Sequence, residues 1–249
     1  MIDGQAPVEI FDEIDSTILE ARRRAERGEI SPVWLIAKRQ TAGRGRRGRA
    51  WTSHDGNLMA TLLFATDQTP QHIALLGFAT GVALAETIDA AIGDGAAQLK
   101  WPNDVFISGA KVSGIMLDSG TLASGQSWVA LAFGVNLADA PENIDQKTIC
   151  LRDLLPPDAP APEPLAFLRA FRPKLETWAA RIAVDGFEPL RRAWLQRAYG
   201  LGQEARVVQG EHMLEGRIAG LSARGELELD TETGRRLIAA GDVFLPKVA

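Results

Sequence analysis

The sequence predicts an α+β fold: a mixed, largely antiparallel sheet with helices on one face, followed by a small C-terminal β-barrel. Three observations carry this reading. Four apolar, strand-like segments, AAQLKWP, DVFIS, KVSGIMLDS and SWVALAFGVNLA, follow one another between 96 and 138, separated only by Asn-Asp or Gly turns. Hairpins, not helical crossovers, therefore join them. Long segments with apolar spacing near 3.6 lie before and after this run. From 203 onward the texture changes to short period-2 segments with turns, about 45 residues of barrel-like pattern. A boundary near 200, where Gly200 and Gly202 fall, divides a larger domain (1–200) from a small one (201–249).

The elements follow in order. VEIFDEI (8–14) reads as a short strand. Asp15 or Ser16 can cap the next helix, ILEARRRAERGE, which Gly28 helps to end. VWLIAKRQ (33–40) is an apolar-rich strand, and a glycine/arginine loop, TAGRGRRGRAWTSHDG (41–56), separates it from the strand LMATLLFA (58–65). Pro70 opens a long helix over 71–92, whose small Ala and Gly residues permit close packing. After the four-strand run, the Pro-rich PPDAPAPEP (156–164) is a linker-like loop, and two helices over about 165–183 and 186–199 follow. The last β segments are EARVVQG, HMLEGRIAGLS, GELELD and RRLIAAGDVFL.

Composition narrows the chemistry. The 249 residues are 46% hydrophobic and 24% charged, the balance of a chain with a sizeable core, not of a disordered or coiled-coil one. A single Cys excludes a disulfide framework and any multi-Cys metal site, and Cys150 reads as a packed small hydrophobe. The three His, at 54, 72 and 212, are scattered, which disfavours a His-ligated metal. The acidic N-terminus has no apolar signal-peptide core, and the apolar stretch 68–85 contains Gln, Thr, Pro and His. It reads as a buried helix, not a membrane span. A cytoplasmic protein without a membrane partner is expected. A net charge of −5 gives no reason to expect non-specific binding to DNA or RNA.

Against this acidic background the loop 41–56 stands out. Lys38, Arg39, Arg44, Arg46, Arg47 and Arg49 fall within twelve residues that hold no acid. Gly43, Gly45 and Gly48 allow close backbone approach, backbone N–H groups can cradle an anion, and Arg offers forked donors for phosphate or carboxylate. Trp51 offers a flat face for stacking. A solvated basic loop, or an arm for RNA, is the plainer alternative, but strands anchor both ends of the loop, which favours a lid over a ligand.

Further along, KWPND (100–104) places Lys100, Asn103 and Asp104 at a turn. This is either a plain Asx-type turn or a site where Asp104 holds Mg²⁺ on phosphates. Lys111, between Gly109 and Gly114, is either a surface Lys or a fixed positive charge. Asn136, ending GVN, is either a turn cap or a reader of a purine edge.

Together these residues resemble the biotin–protein ligase family. The likeness rests on IDST (14–17), Gln40 with TAGRGRRGRAW (41–51), KWPND (100–104), GAKVSGIMLD (109–118) and GVNLA (134–138), in that order, and WLQRAYGLGQEARVV (194–208) resembles the family's junction into its C-terminal barrel. The resemblance spans about 8–246. It implies a catalytic domain like those of class II tRNA synthetases plus the barrel. It also implies the short form, because only seven residues precede the first strand and leave no room for an N-terminal DNA-binding domain.

The resemblance further implies roles. Ser16, Thr17 and Gln40 would face the ureido ring of biotin. Gly43, Arg44, Gly45 and Arg46 would fold over biotin and adenylate, and Arg46 and Lys111 would neutralise the biotin carboxylate and the ATP α-phosphate. Arg49 and Trp51 would meet the nucleotide, Trp51 over the adenine. Asn103 and Asp104 would position the phosphates, Asp104 through Mg²⁺. Gly114, Ile115 and Met116 would line the biotin strand, and Asn136 would contact the adenine. Ile18, Ala132 and Met116 depart from the familiar pattern, which bears on biotin affinity more than on the reaction.

The implied reaction joins biotin to ATP as biotinyl-5′-adenylate, then passes biotin to a Lys of a biotin carboxyl carrier domain, of acetyl-CoA carboxylase or a related biotin-dependent carboxylase. No Ser–His or Cys–His pattern is present, and adenylation needs none: positioning and electrostatics suffice. A lipoate/octanoate–protein ligase is the nearest alternative, and a non-catalytic biotin or nucleotide sensor the next. Polar Ser16, Thr17 and Gln40 favour a ureido head over an alkyl chain, and joint retention of Arg46, Lys111 and Asp104 favours catalysis. Lys100 is read either as sharing one mouth with Asp104 or as a strand-edge Lys on the other side of the sheet.

Overall fold

A computed structural model describes residues 5–93, 95–142 and 146–246. Seven strands, β1 (Val8–Ile14), β2 (Val33–Gln40), β3 (Leu58–Thr66), β4 (Ala97–Lys100), β5 (Asp104–Ile107), β6 (Ala110–Thr121) and β7 (Ser127–Val135), form the main sheet in the order β1-β2-β3-β7-β6-β5-β4. β1 and β2 are parallel, and every other neighbouring pair in this sheet is antiparallel.

The helices lie on both faces, not on one. α2 (Pro70–Ile92), α3 (Pro164–Asp185) and α4 (Glu188–Leu195) pack together, and α2 covers β4 to β7. The core between them centres on Trp34, Phe133 and Phe171, whose ring centroids lie 4.6 to 6.2 Å apart. α1 (Thr17–Glu26) packs on the opposite face, where Ile18, Ala21 and Ala25 meet Leu35, Leu63 and Ala130. The signal for two covered faces was in the strands: Val33 to Ala37 of β2 and Ser127-to-Val135 of β7 are apolar almost without alternation, as strands buried on both sides are. Ile18 is thus a core residue of this second layer, 4% exposed, and its burial contributes about 1.5–3 kcal/mol.

Local chemistry sets the helix ends. The Thr69 hydroxyl accepts from the His72 N–H ahead of Pro70, and the Glu163 carboxylate accepts from the N–H groups of Leu165 and Ala166 ahead of Pro164. α2 is the one described helix long and apolar enough to cross a bilayer, and it is the core helix of the fold. The second helix of the 165–199 pair stops at Leu195. Residues 197–199 instead bond to Leu99 of β4 in a parallel bridge, which covers the sheet edge. Cys150 is buried, and burial pushes its thiol up from its ordinary value.

The C-terminal part is a five-stranded antiparallel sheet of β8 (Glu204–Gln209), β9 (His212–Leu221), β10 (Leu227–Thr231), β11 (Gly234–Ile238) and β12 (Asp242–Phe244), in the order β11-β10-β9-β8-β12. The segment RRLIAAGDVFL, read above as one β stretch, is two strands at opposite edges of this sheet. The Trp101 indole N–H donates to the Gly225 carbonyl in the β9–β10 turn at 3.1 Å, and so ties the KWPND turn to this second sheet.

Candidate active site

The α1 face of the main sheet is covered by α1 only in part. Beyond it, strand register sets a row of residues on that same face: Ala37 opposite Met59, Met59 opposite Gly134, Gly134 opposite Gly114, Gly114 opposite Asp104, and Asp104 opposite Lys100. A parallel row runs Leu35, Thr61, Ala132, Met116. One end of this surface is polar, the middle is glycine, and the other end is charged.

At the polar end, Gln40 accepts through Oε1 from the Thr17 N–H at 2.8 Å and the Thr17 hydroxyl at 3.2 Å, and the Thr61 hydroxyl donates to Thr17 Oγ1 at 2.8 Å. Ser16 and Thr17 are buried at the start of α1, with exposures of 1% and 3%. Asp15 accepts from the Ser16 N–H and takes a bidentate pair of bonds from Arg23, which fixes this corner.

Over the middle lies the arginine loop. It is a short hairpin: the Trp51 N–H donates to the Gly43 carbonyl, Arg44 bridges Ala50, and the Gly45 N–H donates to the Arg49 carbonyl. Arg47 takes a left-handed backbone (φ 55°) at the tip. The hairpin presses the Trp51 indole onto the sheet. A Cβ on Gly134 would stand 2.4 Å from Trp51 Cε2, and one on Gly114 would stand 3.2 Å from both Trp51 Cζ3 and Lys111 Nζ. Gly43 is equally tight, since a Cβ there would lie 2.4 Å from the Trp51 carbonyl oxygen. These glycines are needed for close approach.

At the charged end, Lys111 Nζ lies 2.7 Å from Asp104 Oδ1 and 5.7 Å from the Trp51 ring centre. A bulge between β5 and β6 makes this possible: Val105 faces Ser113 but Phe106 faces Lys111, so Lys111 turns to the side of Gly114. Arg46 Nη1 donates to Asn103 Oδ1 at 3.2 Å, and Asn103 Nδ2 donates to the Ile115 carbonyl at 2.7 Å. Arg46 is half-buried, and burial holds its guanidinium below its ordinary value.

Lys100 is on this same face, beside Asp104, which decides between its two expected placements. The reason is the hairpin register: Trp101, Pro102 and Asn103 form the turn, so β4 and β5 pair Lys100 directly with Asp104, and cross-strand partners share a face. Burial lowers its pKa, and its Nζ sits 5.1 Å from the Phe106 ring centre.

The other expected residues divide. Met116 is half-buried beside the α1 cluster. Ile115 sends its side chain into the opposite core and offers only its backbone to this face. Arg44 is exposed, and Arg49, with Arg47, bonds to Asp242 of β12 at 2.8 and 2.9 Å. Asn136 is 1% exposed, its amide donating to the Ile149 carbonyl while Oδ1 is without a partner; Trp51 Nε1 is buried and likewise unpartnered. Such orphaned groups at one site suit a ligand that satisfies them.

Three participants were not foreseen. Thr61 was legible as the one polar side chain inside LMATLLFA. Asn57 accepts from the N–H groups of Leu137, Ala138 and Asp139 and so holds the turn after β7. Asp242 had no local signal, because its partners are about 195 residues away.

Five cations, Lys100, Lys111, Arg46, Arg47 and Arg49, thus surround two carboxylates, Asp104 and Asp242. The excess positive charge suits a polyanion. Among the described residues no three His, Cys, Asp or Glu side chains converge as a metal cage. A Mg²⁺ ion carried on phosphates needs only one or two carboxylates, and Asp104 can supply one. A cavity of about 540 Å³ lies beside Glu204, Arg206, Glu215 and Phe244 in the second sheet, and Lys100, Lys111, Arg46 and Asp104 do not line it.

Comparison with known proteins adds to this geometry. Residues 12–136 match the biotin/lipoate A/B protein ligase family, and 200–245 match the biotin protein ligase C terminal domain. The chain is 36% identical over 233 residues to a biotin–[acetyl-CoA-carboxylase] ligase of Paracoccus denitrificans, covering 92% of this chain and 97% of that one. It is 30% identical over 251 residues to the ligase of the same name from Mycobacterium tuberculosis, covering 96% and 89%. The biotin protein ligase of Aquifex aeolicus in complex with biotin and ATP superposes with a TM-score of 0.78 at 25% identity, covering 97% and 99%.

Proposed function

The chain belongs to the biotin/lipoate A/B protein ligase family, and from that premise we propose how this face of the sheet performs the reaction. The enzyme activates biotin with ATP and transfers it to a carrier protein. The observation that carries the assignment of sites is the order of groups across one surface. From Gln40 on β2, past the glycine floor under Trp51, to Lys111 on β6 is three inter-strand steps, about 14 Å. That order matches a molecule with a hydrogen-bonding ring at one end, an apolar tail, and a carboxylate at the other.

In the first step a biotin carboxylate oxygen attacks the ATP α-phosphorus. The bond from that phosphorus to the bridging oxygen breaks, and its electron pair leaves with pyrophosphate. Two anions must meet, so repulsion is the main barrier. Lys111 and Arg46, both partly withdrawn from water, offset it where the charge is weakly screened. Asn103 holds Arg46 from one side. Asp104 positions the triphosphate; it would hold a Mg²⁺ ion arriving with the phosphates, which would supply neutralisation of their charge. The loop 43–51 with Trp51 shields the acyl phosphate from water. In the second step a lysine amine of the carrier attacks the acyl carbon and AMP leaves. Ser16, Thr17 and Gln40 are the proposed ureido partners, Gly43, Arg44, Gly114, the Ile115 backbone and Met116 line the biotin path, and Arg49, Trp51 and Asn136 meet the nucleotide.

The acceptor proposed is the biotin carrier domain of acetyl-CoA carboxylase or a related biotin-dependent carboxylase, with the reaction in the cytoplasm. The domain division proposed is 1–200 and 201–249. Lipoate ligation is the reading to separate from this one, and thermal shift does so. Biotin should raise the melting temperature, ATP should raise it further, and lipoate should not compete. A shift with lipoate and none with biotin would reverse the assignment.

A further inference from the structure

We propose that Lys100 binds the β- and γ-phosphates of ATP and stabilises pyrophosphate as it leaves. This deepens the ligase reading above and rests on it. Four observations lead there. Register places Lys100 on the same face as Asp104, Gly114 and Gly134, at the far end of the row from the polar corner. If the carboxylate and α-phosphate meet at Lys111 and Arg46, the rest of the triphosphate continues along that row toward β4.

Among the described residues no carboxylate lies within ion-pairing distance of the Lys100 ammonium, whereas Lys111 has Asp104, and Arg47 and Arg49 have Asp242. The ammonium instead faces the Phe106 ring, which itself stacks on Tyr199 with centroids 4.9 Å apart. The side chain is half-buried, and burial outweighs the attraction of Asp104 across the hairpin, with Lys111 nearby adding repulsion, so its charged form is disfavoured. A chain gains no stability by half-burying an ammonium there without a carboxylate in direct contact, since desolvating a charge costs free energy. A multiply charged anion arriving between Lys100 and Lys111 removes that penalty. The leaving group carries the electron pair of the broken bond, so the interaction strengthens as the reaction proceeds, the condition for lowering the barrier and not only for binding.

The role makes a split that a structural role would not. Lys100 matters while pyrophosphate is present and is idle afterwards. The test uses the full chain, ATP, biotin and labelled pyrophosphate in an exchange assay, and separately the transfer of biotin from preformed biotinyl-5′-adenylate to a carrier domain. Lys100→Met keeps the stem over Phe106, and Lys100→Arg keeps a charge. Lys100→Met should raise the KM for pyrophosphate roughly ten- to a hundredfold, with biotin affinity and transfer from the adenylate held near wild type, and Lys100→Arg should recover part of the loss. An unchanged pyrophosphate KM, or an equal fall in exchange and transfer, would overturn the proposal. A wild-type protein that supports neither exchange nor transfer would overturn the ligase reading itself, and this proposal with it.

Discussion

Lys111 and Asp104 stand 2.7 Å apart on neighbouring strands because a bulge turns Lys111 out of the core and onto the ligand face. Both side chains are mostly withdrawn from water, at 20% and 16% exposure. Lys111→Ala should therefore lower biotinyl-adenylate formation by roughly 10²-fold or more, and Lys111→Arg should restore only part, because a planar fork does not sit where a compact ammonium does. Pyrophosphate release measures both. The control is Lys174→Ala, on the exposed side of α3, which should be silent. Wild-type rates in Lys111→Ala would move the central charge to Arg46.

Trp51 is held flat by the absence of a side chain at Gly134. Gly134→Ala should displace the indole and weaken biotin binding roughly tenfold or more, while the sheet stays folded. Calorimetry gives the affinity and tryptophan fluorescence the displacement. In a Trp51→Ala background the same substitution should cost much less, since the clash is then gone. Equal costs in both backgrounds would show that Gly134 acts independently of Trp51.

The arginine hairpin is latched to the second sheet by Asp242. The Arg47 and Arg49 side chains are 38% and 60% exposed, so each pair contributes less than about 1 kcal/mol. Asp242→Asn should raise proteolytic nicking after Arg44 to Arg49 only a few-fold, and high salt should mimic it in the wild type. Biotin with ATP should suppress the nicking in both proteins. Cleavage that ignores salt, the substitution and the ligands would remove the lid role.

How far the juxtapositions in this face could be read beforehand differs residue by residue, for physical reasons. Arg46, Asn103, Asp104 and Lys111 sit in or beside turns whose local composition singled them out, but spacing alone left each open, and the joint resemblance of their motifs to one family gave them roles. The side on which Lys100 lies was left open because it depends on the register of the β4–β5 hairpin across a three-residue turn, which no periodicity encodes. α1 was put with the other helices although the unbroken apolar runs of β2 and β7 called for cover on both faces. Asp242 was out of reach because it meets Arg47 only through the packing of one sheet on the other.

Acid should loosen the polar corner first. Bonding to Arg23 holds the Asp15 carboxyl below its ordinary value of 3.8. In Glu20 burial pushes the carboxyl up, but Arg24 and Arg23 outweigh it and hold it below 4.5. Groups lowered on folding stabilise the protein above their unfolded values and lose that stabilisation as pH falls through their folded ones. Melting temperature should thus be flat down to about pH 5 and then drop. Asp15→Asn should flatten the drop, and a drop of wild-type size in that variant would mean the linkage lies elsewhere.

The most direct measurement of the whole account is transfer itself. The protein is incubated with labelled biotin, ATP, Mg²⁺ and a biotin carboxyl carrier domain, and the carrier is analysed by mass spectrometry. The account predicts one biotin on one lysine of the carrier, dependent on ATP and lost in Lys111→Ala. A carrier left unlabelled by biotin across several carboxylases, with lipoate joined to a lipoyl domain instead, would contradict it.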